Sequence, residues 1–564
     1  LRMNSYRKFN NLIGWITFVI ALVVYTLTLE PTASWWDCGE YIATAFKLQV
    51  GHPPGAPLFQ MAGRFFSLFA FGNTENVALM VNFMSGLVSA FTILFLFWTI
   101  THLARKVVVR DGEMNRSQLA VIMGSGLVGA LAYTFSDSFW FSAVEGEVYA
   151  MSSFFTAVVF WAILKWENNA DEKHSIRWIV LIAYLVGLSI GVHLLNLLAI
   201  PAIAFVYYFK KYKPTTKGIL LTGAVSVFLL AAIMYIIIPW VVDLSARFEL
   251  LFVNTFGLPF NSGTLIYFIL ISAGLFFGLR YTRRRGKLIA NTALLSLTFI
   301  LIGYSSFLML VIRANTNTPI NENNPDDAIS LLSYLNREQY GTWPIFHGQY
   351  YSAPLNPQDP YKDGSPVYIR DKKSGKYVIT DARKNSIPNY DPNFTTIFPR
   401  MYSSQDNHVR AYKSWGKVQG IPIAATNNSG EPESIIRPTF GENLRFFFRY
   451  QLGHMYFRYF MWNFAGRQND VEGHGGISNG NWISGIKFLD ETRLGKQSDL
   501  PRSMQSPARN TYYLLPLILG VVGMLYHFNR NYKDGLVVAL LFFMTGIAIV
   551  LYLKIGRASC RERV

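Results

Sequence analysis

Cysteine is almost missing from this chain. Of its 564 residues only Cys38 and Cys560 are cysteines, and Cys560 falls in the run 554–564, which breaks abruptly from an apolar helix and reads as translated vector sequence. With Cys38 alone in the remainder, no intrachain disulfide framework is available, and cysteine content says little about the redox compartment. Acidic residues are scarce as well, 34 Asp and Glu against 51 Lys and Arg. A net charge of +17 would suit nucleic-acid binding in a soluble protein. Here the basic residues gather in short connectors between apolar runs, so the excess is a topology signal and no nucleic acid is expected as a partner. No Walker loop, Rossmann glycine pattern, Cys/His zinc spacing or Gly-x-Ser-x-Gly elbow occurs, and energy from a soluble nucleotide is not indicated. Internal repeats and low-complexity tracts are also missing.

What is present is apolar surface: 51% of residues are hydrophobic and 16% aromatic, too much for one water-soluble globule. Spanning helices are expected at 11–29, 77–104, 118–135, 149–166, 177–191, 194–209, 218–240, 263–280, 288–311, 511–527 and 535–553, about eleven in all. The fold class is therefore a membrane all-α protein, its 1–311 module carrying a long first outer loop (30–76). A change to Asn, Asp, Pro, Gly, Ser and Tyr marks 312–509 as a mixed extracytoplasmic domain. Within it 442–464, aromatic but broken by Arg445, Arg449, His454 and Arg458, suits an interfacial helix. A transmembrane hairpin (510–553) follows. Leu1 and Arg2 precede Met3, a candidate true start.

Arg2, Arg7 and Lys8 place the N-terminus inside, and the connectors around Arg105/Lys106/Arg110/Arg116, Lys210/Lys211/Lys213/Lys217, Arg280/Arg283/Arg284/Arg285/Lys287 and Arg530/Lys533 must share that side. They can do so only if Ala56–Phe71 does not cross the bilayer. That segment is short and contains Arg64, so it is expected to lie in the interface.

Chemistry concentrates just outside the first span. Asp37 and Glu40, at i and i+3, would converge on one helix face and could share a proton or a hydroxyl substrate; the alternative is an N-cap with a first-turn carboxylate. His52, stiffened by Pro53-Pro54, could bind phosphate or cap the next helix. Glu145 and Glu147, with Asp137, form a second acidic outer loop, either solvated or flanking a cleft. The two acidic loops could bind a divalent cation, though no ligand spacing is diagnostic and the metal stays unknown. His193 and Asn196 sit between short apolar helices, satisfied by neighbours or facing a substrate. Arg313 could clamp a lipid phosphate or snorkel. Asn393-Phe-Thr395 and Asn427-Asn-Ser429 have glycan-acceptor spacing, a triplet common by chance and given no weight.

Trp36-Asp37-Cys38-Gly39-Glu40, Gly51-His52-Pro53-Pro54-Gly55, Gly191-Val192-His193, Gly303-Tyr304-Ser305-Ser306 with Arg313, and Trp462 to Asp470 together resemble the GT-C class of polyprenyl-phosphate-dependent glycosyltransferases. The closer likeness is to a bacterial family of unknown function related to an animal protein O-mannosyltransferase. The resemblance implies inverting transfer of a sugar from a polyprenyl-phosphate carrier to a Ser or Thr hydroxyl of an acceptor protein. It makes Asp37 the base and adds Trp36, Tyr304, Arg467, Asn469 and Asp470 as donor or acceptor contacts. It further implies a bacterial inner membrane, the N-terminus cytoplasmic and the active site periplasmic, and more sequence after the last span than this chain carries. Transfer of a whole oligosaccharide, a transporter site at His193 and Asn196, and a noncatalytic surface-assembly scaffold are the alternatives.

Overall fold

Long apolar runs with few helix breakers dictate the framework. The computed structural model of the chain describes residues 3–109, 114–341, 343–426, 432–501 and 506–553. Arg2, Arg110, the 427–429 triplet and the expected vector-derived tail lie outside the described residues. Two units separate, one reaching to Gln339 and including Val522–Thr545, the other comprising Tyr340–Val521 and the chain from Gly546.

The helices of the first unit are α1 (Met3–Leu27), α2 (Cys38–Lys47), α3 (Pro57–Ser67), α4 (Val77–Val108), α5 (Arg116–Thr134), α6 (Asp137–Ala143), α7 (Val148–Asn169), α8 (Ile176–Ile190), α9 (Ile200–Lys211), α10 (Thr216–Ala232), α11 (Ile238–Leu250), α12 (Ser262–Arg284), α13 (Leu288–Tyr304), α14 (Leu308–Ala314) and α15 (Ala328–Leu335), with Tyr532–Thr545 returning to it. Among the described residues of the whole chain, nine helical stretches are long and apolar enough to cross a membrane. The eleven expected spans are refined accordingly: α8 has 15 residues and Leu515–Arg530 has 16, both below spanning length at 1.5 Å per residue.

One expected connector is helical instead. Residues 216–255 form one continuous helical stretch of 40 residues, although Pro239 signals an end near 240. Pro lacks an N–H and crowds the carbonyl four residues before it. The π-helical turn Ile233–Ile237 directly before α11 widens the backbone there, and the helix continues through a second π turn, Leu251–Thr255.

Backbone hydrogen bonds fix which ends meet. Glu30 N donates to Val144 O (3.1 Å), Leu58 N to Gly191 O (2.8 Å) and Val50 N to Ile320 O (3.0 Å). The segments after α1, before α3, after α6, after α8 and after α14 thus share one end of the bundle. Both flanks of α3 lie there, and its 11 residues reach only ~16 Å, so it does not cross. At the opposite end Lys106 Nζ pairs with Glu167 (2.7 Å) and Asp534 (2.8 Å), and Lys210 with Asp171 (3.0 Å). This alternation is what the basic connectors require.

Two glycines, Gly187 and the motif residue Gly303, are packing devices. A Cβ on Gly187 would strike the backbone of Ile300, and one on Gly303 would strike that of Gly187 and Leu188. α8 and α13 therefore meet backbone to backbone, the close approach that small residues permit between membrane helices.

The second unit is built from two-stranded antiparallel pairs, among them Val367–Asp371 with Lys376–Asp381 and Ile421–Thr426 with Pro432–Arg437. A continuous helical run over Phe440–Phe464, opened by a Thr439/Glu442 capping box and π-helical over Phe447–Phe457, covers the expected 442–464 helix. Tyr350, Met401, Tyr412 and Phe446 form a core cluster beside it.

Candidate active site

The chain leaves α1, passes the exposed Trp35 and Trp36, and enters α2 at Asp37. Trp36 takes a left-handed backbone conformation (φ 69°), which turns the chain into the helix. Asp37 occupies the N-cap position yet makes no capping hydrogen bond, so the expected alternative of a capping carboxylate does not apply. Its side chain stays 60% exposed. Glu40, one turn in, reaches back to the Gly51–Gly55 loop. Its Oε1 accepts from the His52 backbone N (2.6 Å), and its Oε2 accepts from His52 Nδ1 (2.9 Å). His52 Nε2 lies 3.9 Å from Asp37 Oδ2. The acidic pair does converge, but with an imidazole between its members.

Electrostatics follow from this geometry. The hydrogen bond to Glu40 raises the His52 pKa above its ordinary value, against the lowering effect of burial, with Asp37 and Glu322 adding to the rise. Burial would raise the Glu40 carboxyl; the hydrogen bonds from His52 outweigh it and hold Glu40 below the usual carboxylate range. The ligand atoms of Asp37, Glu40 and His52 lie within 4.8 Å of one another, a donor set of the kinds a divalent cation accepts. His52 already spends Nδ1 on Glu40, so a cation would have to use Nε2.

A segment 270 residues or so downstream holds this loop. Tyr334, fully buried on α15, donates to Gly51 O (2.6 Å) and His52 O (3.2 Å). Val50 pairs with the 320–322 backbone, Glu322 N returning a bond to Val50 O (3.0 Å). Burial and the nearby Glu40 raise the Glu322 carboxyl above its ordinary range. Sequence reasoning missed Glu322 and Tyr334; only the apolar face of α15 behind its Asp327/Ser330 capping box marked Tyr334 as a core residue. Arg313, a candidate for a phosphate clamp or a snorkelling anchor, donates through Nε to Leu48 O (2.5 Å) and through an Nη to Lys47 O (3.1 Å). It closes the C-terminal end of α2, where orphan carbonyls and the helix dipole favour a cation.

Glu145 and Glu147 are not solvated loop acids: they are 2% and 8% exposed. Ser34 Oγ donates to Glu145 Oε2 (2.6 Å), and Asn82 Nδ2 donates to the Glu30 and Thr32 carbonyls, so this loop and the one before α2 form one polar layer. The Tyr41 phenol lies within electrostatic reach of Glu147, Tyr149, Asp37 and Glu40, and the Tyr149 ring meets His193 at 5.6 Å. His193 Nδ1 accepts from Leu195 N (3.2 Å) as a helix cap, and burial together with Arg337 pushes its pKa down to about 4. Asn196 is fully buried and donates to Ser189 Oγ (2.8 Å); Tyr304 donates to Ile238 O (3.1 Å). These last two are tied into helix packing, not gathered at Asp37.

Residues 37–216, which hold Asp37, Glu40, His52, Glu145, Glu147 and His193, match the family model described as protein O-mannosyl-transferase TMEM260 N-terminal domain. This stretch is similar to the N-terminal domain of the protein O-mannosyl-transferases. The chain is 30% identical over 144 residues to protein O-mannosyl-transferase tmem260 of Dictyostelium discoideum, covering 26% of this chain and 16% of that protein. It is 29% identical over 174 residues to TMEM260 of Mus musculus, covering 31% and 22%. The match thus spans less than a quarter of either relative's length. Residues 341–448 match a family of unknown function (DUF8416), and no solved structure matches the chain.

Arg467, Asn469 and Asp470 belong to the second unit. There Asn469 is buried, accepting from Gly480 N (2.9 Å) and donating to Asn479 Oδ1 (3.0 Å). Arg467 donates to Ala508 O, and Asp470 accepts from Ser506. All three are engaged in closing the 466–511 loop.

Proposed function

We propose that this protein transfers a mannosyl residue from a polyprenyl-phosphate carrier to a Ser or Thr hydroxyl of an extracytoplasmic protein, with inversion, using Asp37 as base. The observation that carries the reading is the state of Asp37. It stands at a helix N-terminus without capping it, exposed, 3.9 Å from His52, at the end of a spanning bundle and at the first residue of the match to the O-mannosyl-transferase domain. A hydroxyl is a poor nucleophile until a positioned carboxylate takes its proton, and one displacement at the anomeric carbon inverts it. The exposed Trp35 and Trp36 beside Asp37 suit the headgroup level where a lipid-borne sugar and an aqueous acceptor meet. The basic connectors support an N-terminus in the cytoplasm and a site on the far face, periplasmic in a bacterial inner membrane.

The test is Asp37→Asn in full-length protein reconstituted in nanodiscs, with polyprenyl-phosphate mannose and a Ser/Thr-rich peptide. Transfer should fall by at least about 10²-fold, in line with loss of a general base, while unfolding temperature stays unchanged. Retained turnover would remove Asp37 from the chemistry, and an acceptor mass gain beyond one hexose would replace the monosaccharide donor by an oligosaccharide.

A further inference from the structure

We propose that Glu40 is a positioning residue, not an acid–base group: it locks His52 as a proton-bearing imidazole whose Nε2–H receives the departing phosphate. The inference rests on the transfer reaction proposed above and assigns the leaving-group side of it. Glu40 grips His52 at two points, the backbone N (2.6 Å) and Nδ1 (2.9 Å), so ring position and tautomer are set together. The grip needs Gly51, where a Cβ would run into Glu40 Oε1, and Tyr334 holds the same two residues by their carbonyls from the other side. Tyr41 closes on the ring at 5.5 Å. What remains is Nε2. Its 3.9 Å separation from Asp37 Oδ2 exceeds a hydrogen bond, so Asp37 does not consume it.

The groups facing the ring are Asp37 and Glu40 from α2 and Glu322 from the segment after α14. All three are acids, and all favour the protonated ring. In the transfer step the acceptor oxygen bonds to the anomeric carbon and its proton passes to Asp37. The carbon–oxygen bond to phosphate breaks, with its electron pair leaving on phosphate. A diester carrying one negative charge becomes a monoester carrying two. A charged N–H on that oxygen is stronger in the transition state than before it, which is the condition for raising kcat and not only binding.

The experiment uses the full chain in nanodiscs, with farnesyl phosphate as the monoester probe and tryptophan fluorescence as the readout of Kd across pH 5–9. Wild-type affinity should loosen as pH rises through the His52 pKa, because the protonated ring prevails only below it. His52→Asn should lose this component and leave only the titration of the probe itself. Glu40→Gln keeps shape but not charge; it should move the midpoint down by about one unit and cut kcat ~10²-fold with its unfolding temperature matched to wild type. Glu40→Asp should recover part of both. A Glu40→Gln profile superimposed on wild type, or a pH-dependent component that survives His52→Asn, would overturn the assignment. Asp37→Asn separates the two readings. Binding that keeps its pH-dependent component, its midpoint lowered by the loss of the Asp37 charge, with no transfer supports both; full transfer by that variant sinks the reaction proposed above while leaving the phosphate contact to stand on the binding data.

Discussion

Removing one oxygen from Tyr334 should open the active-site loop without touching a reacting group. The Tyr334 hydroxyl is fully buried and donates to Gly51 O at 2.6 Å and His52 O at 3.2 Å. In Tyr334→Phe the ring still fills its place, but the two carbonyls lose a donor that buried water cannot easily replace. A buried acceptor left unpaired costs about 1–3 kcal/mol, and each 1.4 kcal/mol is about tenfold in an equilibrium constant. The cost falls on Gly51–Gly55, whose other ties are the two Glu40 bonds to His52 and the Gly55 N to His52 O bond (2.9 Å). Local opening should therefore rise about ten- to a hundredfold. Hydrogen exchange by mass spectrometry reads this directly: a peptide spanning 50–56 should lose protection by that factor, while peptides from α4 and α7 keep theirs. Transfer should fall with the loop, in kcat more than in KM, because His52 moves away from the leaving group and not from the carrier chain. Unchanged exchange at 50–56 would refute the clamp, and equal loss of protection throughout the bundle would show that Tyr334 serves overall stability instead.

Four further outcomes follow. Glu322→Gln removes an acid that helps keep the His52 ring protonated, so the pH midpoint of farnesyl phosphate binding should drop by a fraction of a unit, measured as above. Lys106→Met strands Glu167 and Asp534 at the opposite end of the bundle. Because the lysine is a quarter exposed, the cost should be about 2–3 kcal/mol, below the range for fully buried pairs, and Glu167→Gln in the same chain should return part of the unfolding temperature. Gly187→Leu must force α8 from α13 and should cost at least about 1–3 kcal/mol, whereas Gly274→Ala, where a Cβ meets nothing, should be neutral or stabilising. Chelation with EDTA should leave the transfer rate within about twofold, since His52 is engaged by Glu40; loss restored by Mn²⁺ would make His52 and Asp37 ligands of a cation.

The spans were legible because hydrophobic runs of spanning length are a local property of sequence, and that α3 stays at one end of the bundle followed from charge alone. The nearness of Asp37 and Glu40 was legible for the same reason, three residues on a helix being neighbours. His52 was visible as a candidate but not as the group between them: the 12-residue return from Glu40 to His52 is set by Gly51 meeting Glu40, a contact no periodicity encodes. Glu322 and Tyr334 reach the loop across some 270 to 280 positions. Whether Glu145 and Glu147 were solvated or flanked a cleft was open in the sequence, because their burial depends on distant residues such as Ser34 and Asn82 packing into the same layer. The span expected at 218–240 runs on past Pro239 because a π-helical turn, Ile233–Ile237, absorbs the proline, and that turn has no distinguishing composition. Arg313 illustrates the opposite case, a basic residue at a span end whose partners are the carbonyls of another helix.

The charges of the cluster explain why residues 37–40 bring two carboxylates to His52 rather than one. In the proposed reaction Asp37 begins negative and ends neutral, while the phosphate gains the charge that Asp37 loses. Negative charge thus migrates past His52, whose Nε2 lies between the two, and the imidazolium trades one anionic neighbour for another with little change in its own stabilisation. That exchange works only if the ring keeps its proton as Asp37 is neutralised. A second carboxylate, on the opposite nitrogen and unchanged throughout, supplies the constancy. Glu40 meets that need: half-buried, hydrogen-bonded twice to His52 and held below the ordinary carboxylate range, it keeps its charge through the transfer step. The two acids are chemically alike, and the Gly51–His52 loop divides their work by giving one a fixed partner and leaving the other open.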